Sequence, residues 1–187
     1  MSAIDILAKL DGLDVNSLDP LQRVLLVTDG TLTEILEATF LERIQLIKIA
    51  QKVIPATSSH AQLDPDKDEV LMERKILLSG AESGNNYAYA ESLIAVDRLG
   101  SVFRHELVES NIPLGRLWLE HQLETFKELQ EVRWQLAGGL SHYFRCPDSS
   151  LLLVRTYRVL SASRPIMMIT EHFPMAYSQT MSNAASH

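Results

Sequence analysis

The sequence predicts an α+β fold in which an antiparallel sheet of about six strands is flanked by helices. Four strand-length apolar segments, 70–78, 88–96, 151–160 and 165–173, fall into two pairs, each separated by a short cluster of turn residues. Helical periodicity is confined to the first 40 residues and to one stretch between the pairs. Hairpins with segregated helices build an antiparallel sheet, whereas alternating strands and helices would build a parallel one.

In chain order, Ile4, Leu7, Ala8 and Leu10 give a short amphipathic turn. Asp19-Pro20 reads as an N-cap with proline at the first helical position, and Leu21, Val24, Leu25 and Leu26 supply that helix's apolar face. Asp29-Gly30 breaks it. Thr31 and Glu34 have capping-box spacing, and Leu32, Ile35, Leu36 and Phe40 continue as a second helix. Segment 44–54 suits a strand, and the polar, proline-bearing 55–69 is expected to be a mobile loop. Glu82–Asn86 turns the first hairpin and Ser161–Arg164 the second. Between the hairpins Pro113 starts a helix expected to span 113–134, with Leu119, Leu123, Phe126 and Leu129 as its core-facing stripe.

The 187 residues are expected to form one domain, 1–187, with 178–187 a frayed polar tail. A hydrophobic content of 46% with 22% charged residues fits a globular core and argues against disorder or a coiled-coil rod. The 24 acidic residues against 17 basic ones leave a net charge of −7, which opposes binding to a phosphate backbone. The single cysteine, Cys146, permits no internal disulfide, and no apolar run reaches the roughly 20 residues of a membrane span. The start carries no basic signal-peptide region, so a cytoplasmic location is expected. The six histidines (60, 105, 121, 142, 172 and 187) show no metal-ligand spacing, Gly138-Gly139 lacks the Lys-Ser/Thr of a phosphate loop, and Ser92 and Ser141 lack a nucleophile-elbow setting.

Charges on apolar strand faces are the most informative feature. In 70–78 the even row is Val70, Met72, Arg74, Ile76 and Leu78; in 165–173 the odd row is Pro165, Met167, Ile169, Glu171 and Phe173. A buried charge without compensation is costly, so Arg74 and Glu171 each need a partner, a polar cavity or a ligand. They form a structural ion pair, or a bulge turns one outward, or they face a cavity where Arg74 binds a carboxylate and Glu171 handles a hydroxyl or proton. Glu91, on the face of Tyr89 and Leu93, is a weaker candidate. Asn111–Arg116 is a proline-led helix start whose free N–H groups and Gly115 admit an anion close to the backbone.

LQRVLLVTDGTLTEILEA (21–38), ERKILLSG (73–80), YAESLI (89–94), NIPLGRLWLE (111–120) and RPIMMITEHFP (164–174) together resemble the chorismate pyruvate-lyases, in the branch found in cyanobacteria, plastids and archaea. The resemblance covers about residues 20–175. It implies an antiparallel sheet and helices closing over an internal ligand cavity, and conversion of chorismate to 4-hydroxybenzoate and pyruvate for quinone synthesis, with no cofactor or metal. It also implies that Arg74, Leu114 (through its backbone) and Glu171 line the product site, with Leu32 at the place of a lining methionine in enterobacterial relatives. Arg74 and Glu171 are thus the candidate catalytic residues, and Arg74, Leu114, Gly115 and Leu32 the candidate substrate-binding ones. Glu91 and the long helix after Pro113 depart from the enterobacterial pattern. The chemistry fits independently, because a substrate with two carboxylates needs local positive potential. The same fold serves ligand-sensing domains of bacterial regulators, so a non-catalytic domain binding an aromatic carboxylate is the alternative. Such a regulator would carry a DNA-binding module ahead of it, for which 187 residues leave little room.

Overall fold

The structure is a computed structural model that describes residues 14–66 and 68–175. The helical turn expected at Ile4–Leu10 and the tail expected at 178–187 lie outside the described residues. Six strands form one sheet: β1 (Ile44–Pro55), β2 (Val70–Gly80), β3 (Asn86–Ile94), β4 (Phe126–Leu136), β5 (Leu151–Ser161) and β6 (Arg164–Pro174). Their order is β1-β2-β3-β6-β5-β4, and every neighbouring pair is antiparallel. Among the described residues five α-helices accompany it: α1 (Pro20–Val27), α2 (Leu32–Phe40), α3 (Ser101–Glu109), α4 (Leu114–Glu120) and α5 (Ser141–Phe144). The α+β reading of the sequence therefore stands. Among the described residues no helix is long and apolar enough to cross a membrane.

Local chemistry explains most element boundaries. Asp19 caps α1 by accepting from the Gln22 backbone N–H at 2.8 Å, and the Gln22 side chain accepts from the Asp19 N–H at 3.0 Å. The second expected box does not form: Thr31 stands at the N-cap of α2, but its hydroxyl makes no capping bond. In the second hairpin β5 and β6 are joined through Ala162 and Ser163, both at positive φ (48° and 63°), the geometry that matches the twist of paired strands.

Two expectations are corrected. The helix expected over 113–134 stops at Glu120; Gln122 turns the chain at φ 50°, and Phe126–Leu136 becomes edge strand β4. Leu119 and Phe126, assigned to a core stripe, are exposed. The stripe Leu119, Leu123, Phe126 and Leu129 runs from α4 through the turn into β4, so its three- and four-residue steps are not the period of one element; a bulge at Gln130, between the registers of Leu129 and Glu131, then interrupts the alternation within β4. The described part of 55–69 is also structured, with a 3₁₀ turn at Ser58–Leu63 that buries Leu63. Arg98 fastens it, donating from Nε and Nη2 to the two Glu69 oxygens at 2.8 and 2.6 Å and from Nη1 to the Leu63 carbonyl at 2.7 Å.

The helices α1–α4 cover one sheet face and divide its core in two. Leu25 and Leu26 of α1 and Leu32 and Leu36 of α2 pack with Leu46, Leu78, Ala88, Leu153 and Phe173. Phe103 and Leu107 of α3 and Leu117 of α4 pack with Met72, Ile94, Tyr157, Val159, Met167 and Ile169. Between these clusters each strand of the same face carries a polar or small residue: Arg74 on β2, Ala90 and Ser92 on β3, Glu171 on β6, Arg155 on β5. The core is interrupted by a polar belt. On the opposite face α5 and its flanking turn close over Leu152 and Val154.

Candidate active site

The belt opens into a pocket between the start of α2, the start of α4 and the sheet. Gly30, Thr31, Leu32 and Thr33 form one wall, and Pro113, Leu114, Gly115 and Trp118 the other. The floor carries Ile76, Leu78, Ala90, Ser92, Ile169 and Glu171, with Arg155, Tyr157 and Lys127 completing it. Gly115 allows this closeness, since a Cβ there would lie 2.9 Å from Thr31 Cγ2. The pocket is narrow, about 60 Å3, and a larger groove of about 640 Å3 lies open between α3 and β1. That groove holds none of the buried belt charges on its walls, which makes the smaller pocket the candidate site.

Glu171 is held from two sides. Arg155 Nε donates to its Oε2 at 2.6 Å and the Tyr157 hydroxyl to its Oε1 at 2.9 Å. Glu171 and Arg155 are only 4% and 3% exposed. Arg155 also donates from Nη1 to the Leu25 carbonyl, which anchors α1 to the belt, while its Nη2 has no partner. Burial opposes the Arg155 charge, but the carboxylate of Glu171 outweighs this and holds its pKa above the ordinary value. Burial and the same carboxylate raise the Tyr157 pKa well above the usual phenol value, so Tyr157 stays a donor.

Arg74 is 3% exposed and has no such support. Its Nε and Nη2 are buried without a partner, and burial alone lowers its pKa to about 10. The comparison with Arg98 is internal to the molecule: Arg98 is equally buried in its side chain but spends its donors on Glu69 and on carbonyl oxygens. One arginine is built into the structure and the other is left free. Thr31 Oγ1 and Trp118 Nε1 are likewise buried and unpaired on the pocket walls. Lys127 Nζ donates to the carbonyls of Asp29 and Gly30 at 2.9 and 3.0 Å, and burial followed by the charge of Arg155 lowers its pKa to about 8.

The structure brings Leu32, Leu114, Gly115 and Glu171 to one pocket. Arg74 lies at its border: its cross-strand neighbour Ser92 and its same-face neighbour Ile76 line the pocket, while Gln51 and Met72 on its other side line the groove. The ion pair considered between Arg74 and Glu171 is not made, because β3 separates their strands and Arg155 on the adjacent strand takes the carboxylate. Glu91 is on the opposite face, where it accepts from Lys75 Nζ at 3.0 Å and the Tyr89 hydroxyl at 2.7 Å. Sequence reasoning missed Arg155, Tyr157 and Lys127. Arg155 carried the same signal as Arg74, since it interrupts the row Leu151, Leu153, Tyr157, Val159. Among the described residues no group of three or more side chains suited to a metal ion occurs.

Comparison with known proteins bears on what this pocket is for. The chain is 35% identical over 156 residues to a chorismate pyruvate-lyase of Mycobacterium tuberculosis, covering 81% of this chain and 78% of that one. To the chorismate pyruvate-lyase of Mycobacterium leprae it is 30% identical over 162 residues, covering 86% and 77%. Among solved structures it is similar to the effector domain of PhnF from Mycobacterium smegmatis, with a TM-score of 0.61 at 12% identity over 78% of this chain and 88% of that one. It is also similar to the C-terminal domain of the histidine utilization repressor from Pseudomonas syringae, with a TM-score of 0.55 at 14% identity over 71% and 92%. At such identities these two show a shared fold alone. The family model for the Rv2949c-like chorismate pyruvate-lyases matches residues 26–181, a span that contains the whole pocket. The chain belongs to the Rv2949c-like chorismate pyruvate-lyase family, and it is a lyase.

Proposed function

We propose that this pocket converts chorismate to 4-hydroxybenzoate and pyruvate. The observation that carries the reading is a set of buried donors with nothing to donate to along the belt that holds one braced carboxylate: Arg155 Nη2 and Trp118 Nε1 on the pocket walls with Glu171, and Arg74 Nε and Nη2 at the pocket's border. Three cations (Arg74, Arg155 and Lys127) against one carboxylate leave the belt a formal surplus of two positive charges. Chorismate is a dianion, and buried donors of this kind strengthen as water leaves.

Arg74 receives the ring carboxylate, for which its planar fork is suited. The first N–H groups of α4, at Leu114 and Gly115, have no partner within the helix and support the same end, while Leu32 and Ile169 pack against the ring. Glu171 accepts a hydrogen bond from the ring hydroxyl. A carboxylate has about four acceptor positions, so the bonds from Arg155 and Tyr157 leave room for a further donor. The alternative role, a proton donor to the departing ether oxygen, fits this bracing less well, because both neighbours donate toward Glu171. Breaking the C–O bond to the enolpyruvyl group with loss of the ring hydrogen makes the ring aromatic. The driving force is thus in the substrate, and the protein's part is to orient the side chain and exclude water. A ring with its side chain exceeds 60 Å3, so the pocket lengthens on binding, and its border at Arg74 is the direction that supplies both space and charge.

The test is incubation of the purified chain with chorismate, following 4-hydroxybenzoate and pyruvate. Equal amounts of both products support the reading. Binding of 4-hydroxybenzoate with no turnover favours instead the non-catalytic ligand-binding role, which the fold shared with the PhnF effector domain motivates. Use of the product in quinone synthesis is the finer part of the proposal; unchanged quinone content in cells lacking the chain would refute it.

A further inference from the structure

Lys127 is the one belt cation to which the reaction above gives no task. The belt crosses the sheet obliquely: Arg74 on β2 pairs with Ser92 on β3, Glu171 on β6 pairs with Ala90 and with Arg155 on β5, and beyond Tyr157 Lys127 stands on β4 opposite Val159. Neighbouring strands lie about 4.8 Å apart, so the backbones of β2 and β4 are separated by about 19 Å with Glu171 midway. Lys127 Nζ is held in place: it donates to the Asp29 and Gly30 carbonyls and stands 5.6 and 5.5 Å from the ring centroids of Trp118 and Tyr157. An ammonium has three donors, and two are spent. The third remains for whatever fills the pocket.

We propose that Lys127 binds the enolpyruvyl side chain of chorismate and stabilises the negative charge that develops on its ether oxygen as the C–O bond breaks. The assignment rests on the chorismate reading and extends it. With the ring carboxylate at Arg74 and the ring hydroxyl at Glu171, the geometry of the substrate decides where its side chain goes. The ether oxygen is on the ring carbon next to the one bearing the hydroxyl, so the side chain emerges at the Glu171 end, away from Arg74 and toward β4. In the reaction the ring C–O pair goes to the ether oxygen, the ring C–H pair becomes a ring π bond, and the proton lost from the ring is balanced by one gained at the side chain's methylene carbon. Pyruvate results. An ammonium beside the ether oxygen acts on the charge that this sequence creates and does little for the 4-hydroxybenzoate left behind.

The product separates the two ends of the site, because 4-hydroxybenzoate keeps the ring carboxylate and hydroxyl but lacks the side chain. Lys127→Met is expected to lower kcat/KM for chorismate by about 100-fold or more. It is expected to bind 4-hydroxybenzoate within about threefold of the wild type by calorimetry. The pH profile adds a readout that a merely structural lysine would not move. The groups facing Lys127 are Arg155 and Tyr157 on β5, Glu171 on β6, Asp29 before α2 and Trp118 on α4. With its pKa lowered to about 8, wild-type kcat/KM falls as pH rises through that value, whereas Lys127→Arg keeps its charge and loses that limb. Lys127→Arg also keeps a cation in the wall if Lys127→Met fails to fold. Equal losses in product binding and turnover, or an alkaline limb that survives in Lys127→Arg, would overturn the assignment. A wild-type chain that makes no 4-hydroxybenzoate is a separate result: it refutes the chorismate reading on which the assignment stands.

Discussion

Replacing Arg74 with methionine should make the protein more stable and less able to bind its ligand. Its guanidinium is 3% exposed, has two buried nitrogens without partners, and has its pKa lowered to about 10 by burial alone. At about 1.4 kcal/mol per pKa unit, keeping the charge there costs about 3 kcal/mol. The sign follows from linkage. A cation whose folded pKa lies below its unfolded value destabilises the fold at every pH below the folded pKa, and the penalty is relieved only as pH rises from about 10 toward the ordinary guanidinium value. At neutral pH the whole cost is present. Methionine keeps most of the volume and removes the charge, so a net gain of about 1–3 kcal/mol is expected after some loss of packing. For a chain of this size that is a rise in Tm of roughly 2–10 °C. Saturating 4-hydroxybenzoate, at about 100 times its Kd, should add about 2.7 kcal/mol to the wild type and far less to Arg74→Met. Differential scanning fluorimetry with and without the ligand reads both effects. Arg98→Met is the control, expected to lose about 3–5 kcal/mol because it strands the buried Glu69. A lower Tm in Arg74→Met, or an undiminished ligand shift, would refute the reasoning.

Glu171→Gln alone should lose about 3–5 kcal/mol in urea unfolding, because Arg155 is then buried without its counter-charge. Arg155→Met combined with Glu171→Leu should recover most of that stability while turnover stays abolished, and an active double variant would remove the pair from the site. Gly115→Ala should cost about 1–3 kcal/mol and raise KM, since the new Cβ meets Thr31 Cγ2 at 2.9 Å and Thr31 Cβ at 3.0 Å and drives the pocket walls apart. KM for chorismate should change less than about threefold between 0.05 and 0.5 M salt, because buried cations are screened far less than exposed ones; a steep rise would place the binding charges at the surface.

Parity carried the sequence reading further than any motif could. It set Arg74 and Glu171 on apolar rows, and the structure confirms that both are buried. Applied to β5 it would have found Arg155 as well. It failed at β4, where Phe126 and Leu129 prolong the three- and four-residue steps begun by Leu119 and Leu123, so that Lys127 falls inside an expected helix, and the bulge at Gln130 breaks the alternation further on. Pairing was beyond it for a different reason. Hairpins β2–β3 and β5–β6 are local and readable from their turns, but the join between β3 and β6 links residues some 80 apart in the chain, as Ala90 does to Glu171. Without that join the order of the strands is undetermined, so no sequence argument could tell that Arg155, and not Arg74, neutralises Glu171. Thr31 shows a related limit: its capping-box spacing was read as structure, yet its hydroxyl is left free at the pocket wall.

On the proposed reading the belt also accounts for how a chain of net charge −7 would serve an anionic substrate. Exposed carboxylates act through water and salt, and beyond about 8–10 Å their field is largely screened. Arg74, Arg155 and Lys127 act from within a packed wall, where the same charges are worth several times more. The three differ in how they are held. Arg155 is committed to Glu171 and the Leu25 carbonyl, Lys127 to two loop carbonyls, and Arg74 has two buried nitrogens uncommitted. Positions that only maintained the fold would be expected to resemble Arg98, with its donors used, or to be apolar like the clusters on either side. A charge kept in the core at a cost to stability, with bonding capacity left over, is accounted for when a ligand supplies the missing acceptors.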